Sequence, residues 1–448
     1  MNHKHLLRPA FGAHVIVLLL VACAQAIPTP PASQPAPEVK ATAPSVIKLT
    51  FWHGETPPNR VAAMKEMIDK FNQSHPNIQI TQDTFAWADV YTKLATAINA
   101  GTNPDFVFTL PDFTMFIYKT GAVQPVDDLV AEMDQKHHYP PSQIQLYNWD
   151  GHYWGVTLWS MAFKMMVRQD ILDQAGIKAP PKTWDETLEV AKTMKQKGLY
   201  GFALPASKHQ YTDQALWSFM TTARADIFDE NCKIVFDNPA TVRTLKFYQE
   251  LAQYAPPDIA GWAWPDGNAV FIAGKAPLQL IFGPLRYYAE QIPDKTAFVK
   301  AAPVPTPKDG VPGTYSVPNG AMLLTKDPAK QAAFKEFIRF LMEPDNNGYW
   351  LGRFEPGNFA PATEDAAKSD AFWNSPVIAQ FKDVMKVTVD VIPTGKLYGF
   401  TQKKPCAAIG EISGANVLGE TVQKMVVEGK TAEYAATWGQ QRMLEVSK

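Results

Sequence analysis

Ile47-Lys48-Leu49-Thr50-Phe51-Trp52-His53-Gly54-Glu55 opens the folded part of this chain and decides its class. Ile47, Leu49 and Phe51 alternate with polar residues, the period of a half-buried strand, and the run breaks into a loop at Trp52-His53-Gly54-Glu55. Met64, Met67, Ile68 and Phe71 then fall at i, i+3, i+4 and i+7, one apolar face of a helix. Residues 78–82 predict a second strand. Val90, Leu94, Ala97 and Ile98 predict a second helix, stopped by Gly101 where the chain must turn left-handed. Phe106-Val107-Phe108 predicts a third strand that opens into Pro111-Asp112-Phe113. This order predicts an α/β fold with a parallel sheet covered by helices. Ligands bind such sheets at the carboxyl ends of the strands, which singles out the loops of His53, Glu55 and Asp112.

Upstream, Lys4 and Arg8 precede an apolar run that starts near Ala10 and ends at Leu20-Val21-Ala22-Cys23. That is the length of a signal-peptide core and too short to span a bilayer comfortably. Ala22 before Cys23 resembles the lipobox of bacterial lipoproteins. Residues 1–22 are therefore expected to leave as a signal peptide and Cys23 to carry lipid; a plain secretory signal with an incidental cysteine is the other reading. Pro28, Pro30, Pro31, Pro35, Pro37 and Pro44 mark residues 23–45 as an extended linker with nothing to bury. The expected location is extracytoplasmic, anchored to a membrane through lipid alone.

The rest of the chain is too long for one compact core and suits two lobes. A net charge of −2 leaves no basic footprint for nucleic acid. Past Ala22 no uninterrupted apolar run is long enough for a membrane helix. Cys232 and Cys406 remain; the sequence leaves their pairing open, and two buried or free thiols are the preferred reading. Asp150-Gly151 between aromatic arms, Trp149 to Gly155, predicts a tight hairpin. Ile171 and Leu172 sit on a short helix closed by Gly176, and Thr183 with Glu186 forms a capping box. His137-His138 suits an exposed surface better than a metal site. No His-Glu-x-x-His, Gly-x-Ser-x-Gly or Cys-x-x-Cys motif marks an enzyme.

From here the chain resembles the extracellular solute-binding proteins of sugar-importing ABC transporters, relatives of maltose- and glycerol-phosphate-binding proteins. Seven stretches match in the family's order. They are Phe51-Trp52-His53-Gly54, Ala100 to Asp105, Asp150-Gly151 to Gly155, and Gly176 to Glu186. Phe271 to Ala276, Gly283-Pro284, and the segment from Asp327-Pro328 to Leu341 complete the set, which runs from about residue 46 to 435. The resemblance implies a two-lobed periplasmic-binding-protein-like fold of type II, with a ligand cleft between lobes joined by hinge segments. Residues 46–160 plus 319–372 would form lobe 1, and 161–318 plus 373–448 lobe 2. The late helix from Pro328 would pack on the first lobe and the C-terminal helices on the second. It also implies a monomer that closes by a hinge around a small carbohydrate and hands it to permease subunits with their ATPase. No cofactor, metal or covalent chemistry is implied.

Candidate contacts follow from the loops. Asp112 stands where relatives place a carboxylate on sugar hydroxyls, a strong acceptor, with a turn or helix cap as its other reading. Asp105 more plainly braces its strand. His53 and Glu55 occupy the first strand's loop. Trp87 opens the second helix, Trp159 lies at the first crossing, and Trp262 and Trp264 flank Ala263 in a loop. Flat rings suit the C–H faces of sugars while polar neighbours take hydroxyls. Trp149, Trp154 and Trp184 are expected to be structural.

Where relatives usually carry Trp after Gly283-Pro284, this chain has Leu285 and Arg286. Phe282 or Tyr287 then replaces the stacking contact, or the ligand is not a typical maltodextrin. Asn319 stands where relatives often have consecutive glycines and is expected to donate from its side chain. Arg286 and Arg353 keep a phosphate or carboxylate ligand open. A glycosidase using Glu55 and Asp112 as paired carboxylates is the rival from another class, with no second acid placed by motif.

Overall fold

Ile47–His53 forms β1, parallel to β2 (Ile78–Thr84) with Ile47 opposite Ile78, and parallel to β3 (Phe106–Thr109) with Phe51 opposite Phe106. The computed structural model describes residues 46–402 and 404–448. The expected signal peptide, lipidated Cys23 and linker lie outside the described residues. Helix α1 (Pro58–Ser74) buries Met64, Met67, Ile68 and Phe71, the stripe the spacing predicts. Helix α2 (Val90–Ala100) ends at Gly101 with φ 67°, so the glycine supplies the left-handed cap. Helices α3 (Pro111–Tyr118) and α4 (Asp127–His137) follow. A short hairpin, β4 (Asn148–Trp149) and β5 (His152–Tyr153), turns at Asp150 and Gly151, both at positive φ.

Two strands separated by Phe163 alone carry the chain from one sheet to another. They are β6 (Val156–Ala162) and β7 (Lys164–Arg168). β7 is the centre of a small antiparallel sheet between β8 (Leu278–Ile281) and β9 (Val299–Ala302). The chain returns through β10 (Thr314–Leu323), which lies between β6 and β3. With β11 (Ala360–Pro361) the large sheet has the order β11-β6-β10-β3-β1-β2, and β12 (Gly395–Lys396) also pairs with β10.

The sheet is therefore mixed, not wholly parallel. β10 runs antiparallel to both β6 and β3. Residues 160 and 319 fall inside β6 and β10, and the link from β6 to β7 of the second sheet is Phe163. Its N–H donates to the carbonyl of Tyr315, and its ring meets Tyr315 and Phe282 edge-on.

The helix Pro328–Met342 packs on β1, α1 and α4, with Lys335–Asp128 and Arg339–Glu132 pairs along the α4 seam. The helices Val417–Val426 and Ala432–Val446 pack on Gln210–Thr222 and Pro239–Ala252. The preceding helix, Ile409–Gly414, departs from the expected arrangement and lies against α3. Thr183 and Glu186 form the capping box in both directions.

Two expectations are overturned. Cys232 and Cys406 are joined by a disulfide with Cα atoms 5.2 Å apart, which only the tertiary fold brings about. His137 is buried, with Nδ1 2.7 Å from Asp365 on a distant loop. Among the described residues no helix is long and apolar enough to cross a membrane.

Candidate ligand-binding site

A cavity of about 1150 Å³ lies between the carboxyl end of β1 and the loop that follows β8. Gly54, Glu55, Arg60, Trp87, Asn319, Glu355 and Phe359 face it from the large-sheet side. Phe282, Arg286 and Tyr287 face it from the small-sheet side, beside Trp264, Asn268, His209 and Gln214. The cavity thus lies at the strand end that the strand-end rule singles out.

Glu55 organises the first wall. It is 2% exposed, and its Oε1 accepts from the Trp87 indole N–H at 2.9 Å while Oε2 accepts from Arg60 at 2.5 Å. Arg60 donates at 2.7 Å to Glu355 as well and lies 5.0 Å from the Phe359 ring centre. Burial pulls the Arg60 pKa down, but the charges of Glu355 and Glu55 outweigh it and raise it. An acid–guanidinium–acid cluster is tolerable here because each buried charge has a hydrogen-bonded partner. Gly54 is required by close approach: a Cβ there would sit 2.5 Å from the Trp87 ring.

Across the cavity, the helix Trp264–Ile272 starts at the wall residue itself. Trp264 donates its indole N–H to Gln214 at 3.0 Å and packs edge-on against His209 at 4.4 Å. Burial lowers the His209 pKa and favours the neutral ring. Arg286, on the helix Leu285–Gln291, pairs with Glu290 at 2.7 Å. Both arginines lining the cavity are therefore ion-paired. Asn319 is buried, and its amide donates to the carbonyl of Val317 at 3.4 Å.

Five of the candidate residues sit elsewhere. His53 is buried, donating Nε2–H to Gln82 at 2.9 Å and accepting the Glu55 N–H on Nδ1, so it shapes the loop from behind. Asp112 is buried in the first turn of α3, where Oδ2 accepts from Tyr91 at 3.1 Å and from Ser413. Burial raises its pKa, and Oδ1 has no partner among the described residues. Trp159 is fully buried against Phe108, Trp350, Phe354 and Phe359, a core position. Trp262 is buried beside the loop, its carbonyl accepting from Ser207. Arg353 stacks on Tyr349 away from the cavity.

The structural readings of Trp184, Trp149, Trp154 and Asp105 stand. Trp184 stacks on Phe247, and Trp154 donates to the Trp149 carbonyl within the hairpin. Asp105 accepts from Thr50 and pairs with Lys330. Arg60, Glu355, Phe359 and Gln214 were missed. Arg60 sits five residues after Glu55, a faint signal; Glu355 reaches it from 295 residues away, which no local pattern announces.

The profile of the bacterial extracellular solute-binding proteins matches residues 56–348, and the chain belongs to that family. It is a solute-binding protein on the two-lobed fold, and its relatives are binding proteins, not enzymes. One relative is the putative ABC transporter periplasmic-binding protein YcjN of Escherichia coli, 22% identical over 85% of this chain and 88% of its own. Another is the arabinooligosaccharide-binding protein of Halalkalibacterium halodurans, 22% identical over 81% of this chain and 82% of its own. Among solved structures, maltose-bound MalE3 of T. maritima superposes with a TM-score of 0.77 at 18% identity, covering 90% of this chain and 100% of that one.

Proposed function

We propose that this protein captures a neutral mono- or oligosaccharide in the cleft and delivers it to the permease of an ABC importer. The observation that carries this reading is the make-up of the cavity. Trp87, Trp264, Phe282 and Phe359 offer flat apolar faces, while Glu55, Asn268 and Asn319 supply hydrogen-bonding groups. A phosphate-bearing ligand would need free cations, and Arg60 and Arg286 are already engaged by carboxylates. Relatives described as arabinooligosaccharide-binding and the maltose-bound neighbour support the sugar class.

In this reading residues 46–160 with 319–372, and 161–318 with 373–448, are lobes that close on the ligand by a hinge. Glu55, Trp87, Trp264, Phe282, Arg286 and Asn319 touch the sugar, with Arg60 and Glu355 holding Glu55 in place. The monomer works outside the cytoplasm, held by lipid on Cys23 through the linker 23–45. The disulfide suits an oxidising compartment.

A thermal-shift screen of neutral oligosaccharides, polyols, glycerol phosphates and phosphodiesters tests it. A ligand at a hundred times its Kd adds about 2.7 kcal/mol of stability. The expected hit is a neutral sugar recovered intact on chromatography, bound equally at low and high salt. A phosphate-dependent hit, or a sugar consumed on incubation, would overturn the reading.

A further inference from the structure

Lys164, the first residue of β7, is fully buried. Its ammonium donates to the carbonyl of Phe282 and, at 3.5 Å, to that of Gly357. Phe282 follows β8 of the small sheet; Gly357 precedes β11 at the edge of the large one. Phe282 on one side, with Asn358 and Phe359 on the other, line the cavity. One side chain therefore ties the two walls together from behind. Gly357 has φ 88°, and a Cβ there would lie 2.2 Å from Leu285 of the helix Leu285–Gln291. Backbone of one wall meets the opposite wall at this point.

The charged groups on the surrounding elements do not compensate Lys164. Arg168 on β7 pairs with Asp170, Glu355 with Arg60, and Arg286 with Glu290. Lys300 on β9 stands opposite Val167 in the register, and β6 and β8 carry no charged residue. Lys382, Asp383, Lys386 and Asp390 of the helix Lys382–Val391, which packs on β7, are exposed. Burial is the sole cause that brings the Lys164 pKa down, to about 7. A neutral amine has two N–H groups for two carbonyls. The protonated form adds a third donor and a full charge in a fully buried site without a counter-ion among the described residues.

We propose that Lys164 is a proton-linked latch between the two walls of the cleft, its neutral form holding them together and its protonated form favouring their separation and release of ligand. The proposal rests on the ligand-cleft reading above. Parting the walls removes the Gly357 carbonyl and admits water, which returns the ammonium toward its ordinary value near 10.4. The arrangement that holds the proton less tightly gains as pH rises, by up to about tenfold per pH unit between the two values.

Small-angle scattering of the ligand-free protein between pH 5.5 and 9 reads the latch without knowing the ligand. Wild type is expected to become more compact as pH rises above about 7, with a midpoint between that value and about 10.4. Lys164→Met removes that transition while retaining any contribution from His209 and Asp112, and Lys164→Arg, permanently charged, stays expanded to pH 9. Identical pH profiles for wild type and Lys164→Met, or a compact Lys164→Arg at pH 9, overturn the proposal. If neither variant folds, the Lys164 13Cε resonance is titrated in wild type; a midpoint above about 9.5 overturns the proposal, and one near 7 supports it. Failure of every sugar to bind would sink the proposed function while leaving the scattering result to decide the latch.

Discussion

The indole N–H of Trp87 donates to Oε1 of Glu55 at 2.9 Å, so the aromatic face of the cleft and its buried acid are positioned as one unit. Arg60 holds the other oxygen of the same carboxylate and ties it to Glu355. A change at any of these residues therefore reaches the ring that a ligand would stack on.

Trp87→Ala is expected to weaken binding of the sugar found in the screen by about 10- to 100-fold, the usual loss when a wall tryptophan is truncated. Glu55→Gln keeps an acceptor for the indole but leaves Arg60 a single carboxylate, and a smaller loss is expected. Isothermal titration calorimetry separates the two. An unchanged Kd in Trp87→Ala would remove this wall from the site.

Gly54→Ala forces a methyl against the Trp87 ring, where a Cβ would stand 2.5 Å from ring carbons. The ring must move out of its place, at a cost of about 1–3 kcal/mol. The expected outcome is a weaker Kd with a modest drop in Tm, and quenching of Trp87 fluorescence by added iodide should increase as the ring shifts.

The disulfide between Cys232 and Cys406 closes a loop across 174 residues and lies away from the cavity lining. Replacing both cysteines with serine should cost about 2–4 kcal/mol of stability and leave Kd unchanged. Calorimetric melting with and without reductant checks the first statement, and titration of the double variant the second.

Asp213 accepts the N–H of Gly419 at 2.6 Å, and burial holds its carboxyl well above the usual range. The folded state thus binds more protons than the unfolded state from about pH 4 upward. Its contribution to stability is present at acid pH and lost as pH rises through that window. Asp213→Asn keeps an acceptor without the charge. The Tm of wild type should therefore fall relative to Asp213→Asn as pH rises above about 4; parallel curves would show that this group is not the cause.

The strands and helices near the amino end were legible because each follows a short-range period. Met64, Met67, Ile68 and Phe71 turn inward together, and Gly101 stops its helix at positive φ as a residue without Cβ can. The family pattern, too, is carried by local turns and caps such as Asp150-Gly151 and Thr183 with Glu186. Residue type alone did not distinguish a cleft tryptophan from a core one. Trp87 and Trp264 line the cavity, while Trp159 and Trp262 are buried elsewhere.

By itself the sequence determined the α/β class, the order of the first three strands and the helices between them, and the loop at the end of β1, because hydrophobic period and turn chemistry act over a few residues. Only the tertiary structure decided the antiparallel place of β10, the pairing of Cys232 with Cys406, the seat of Glu355 beside Arg60 and the burial of Lys164 between two carbonyls. Each of these joins parts of the chain far apart in sequence, where contact is set by how whole elements pack and not by any local preference.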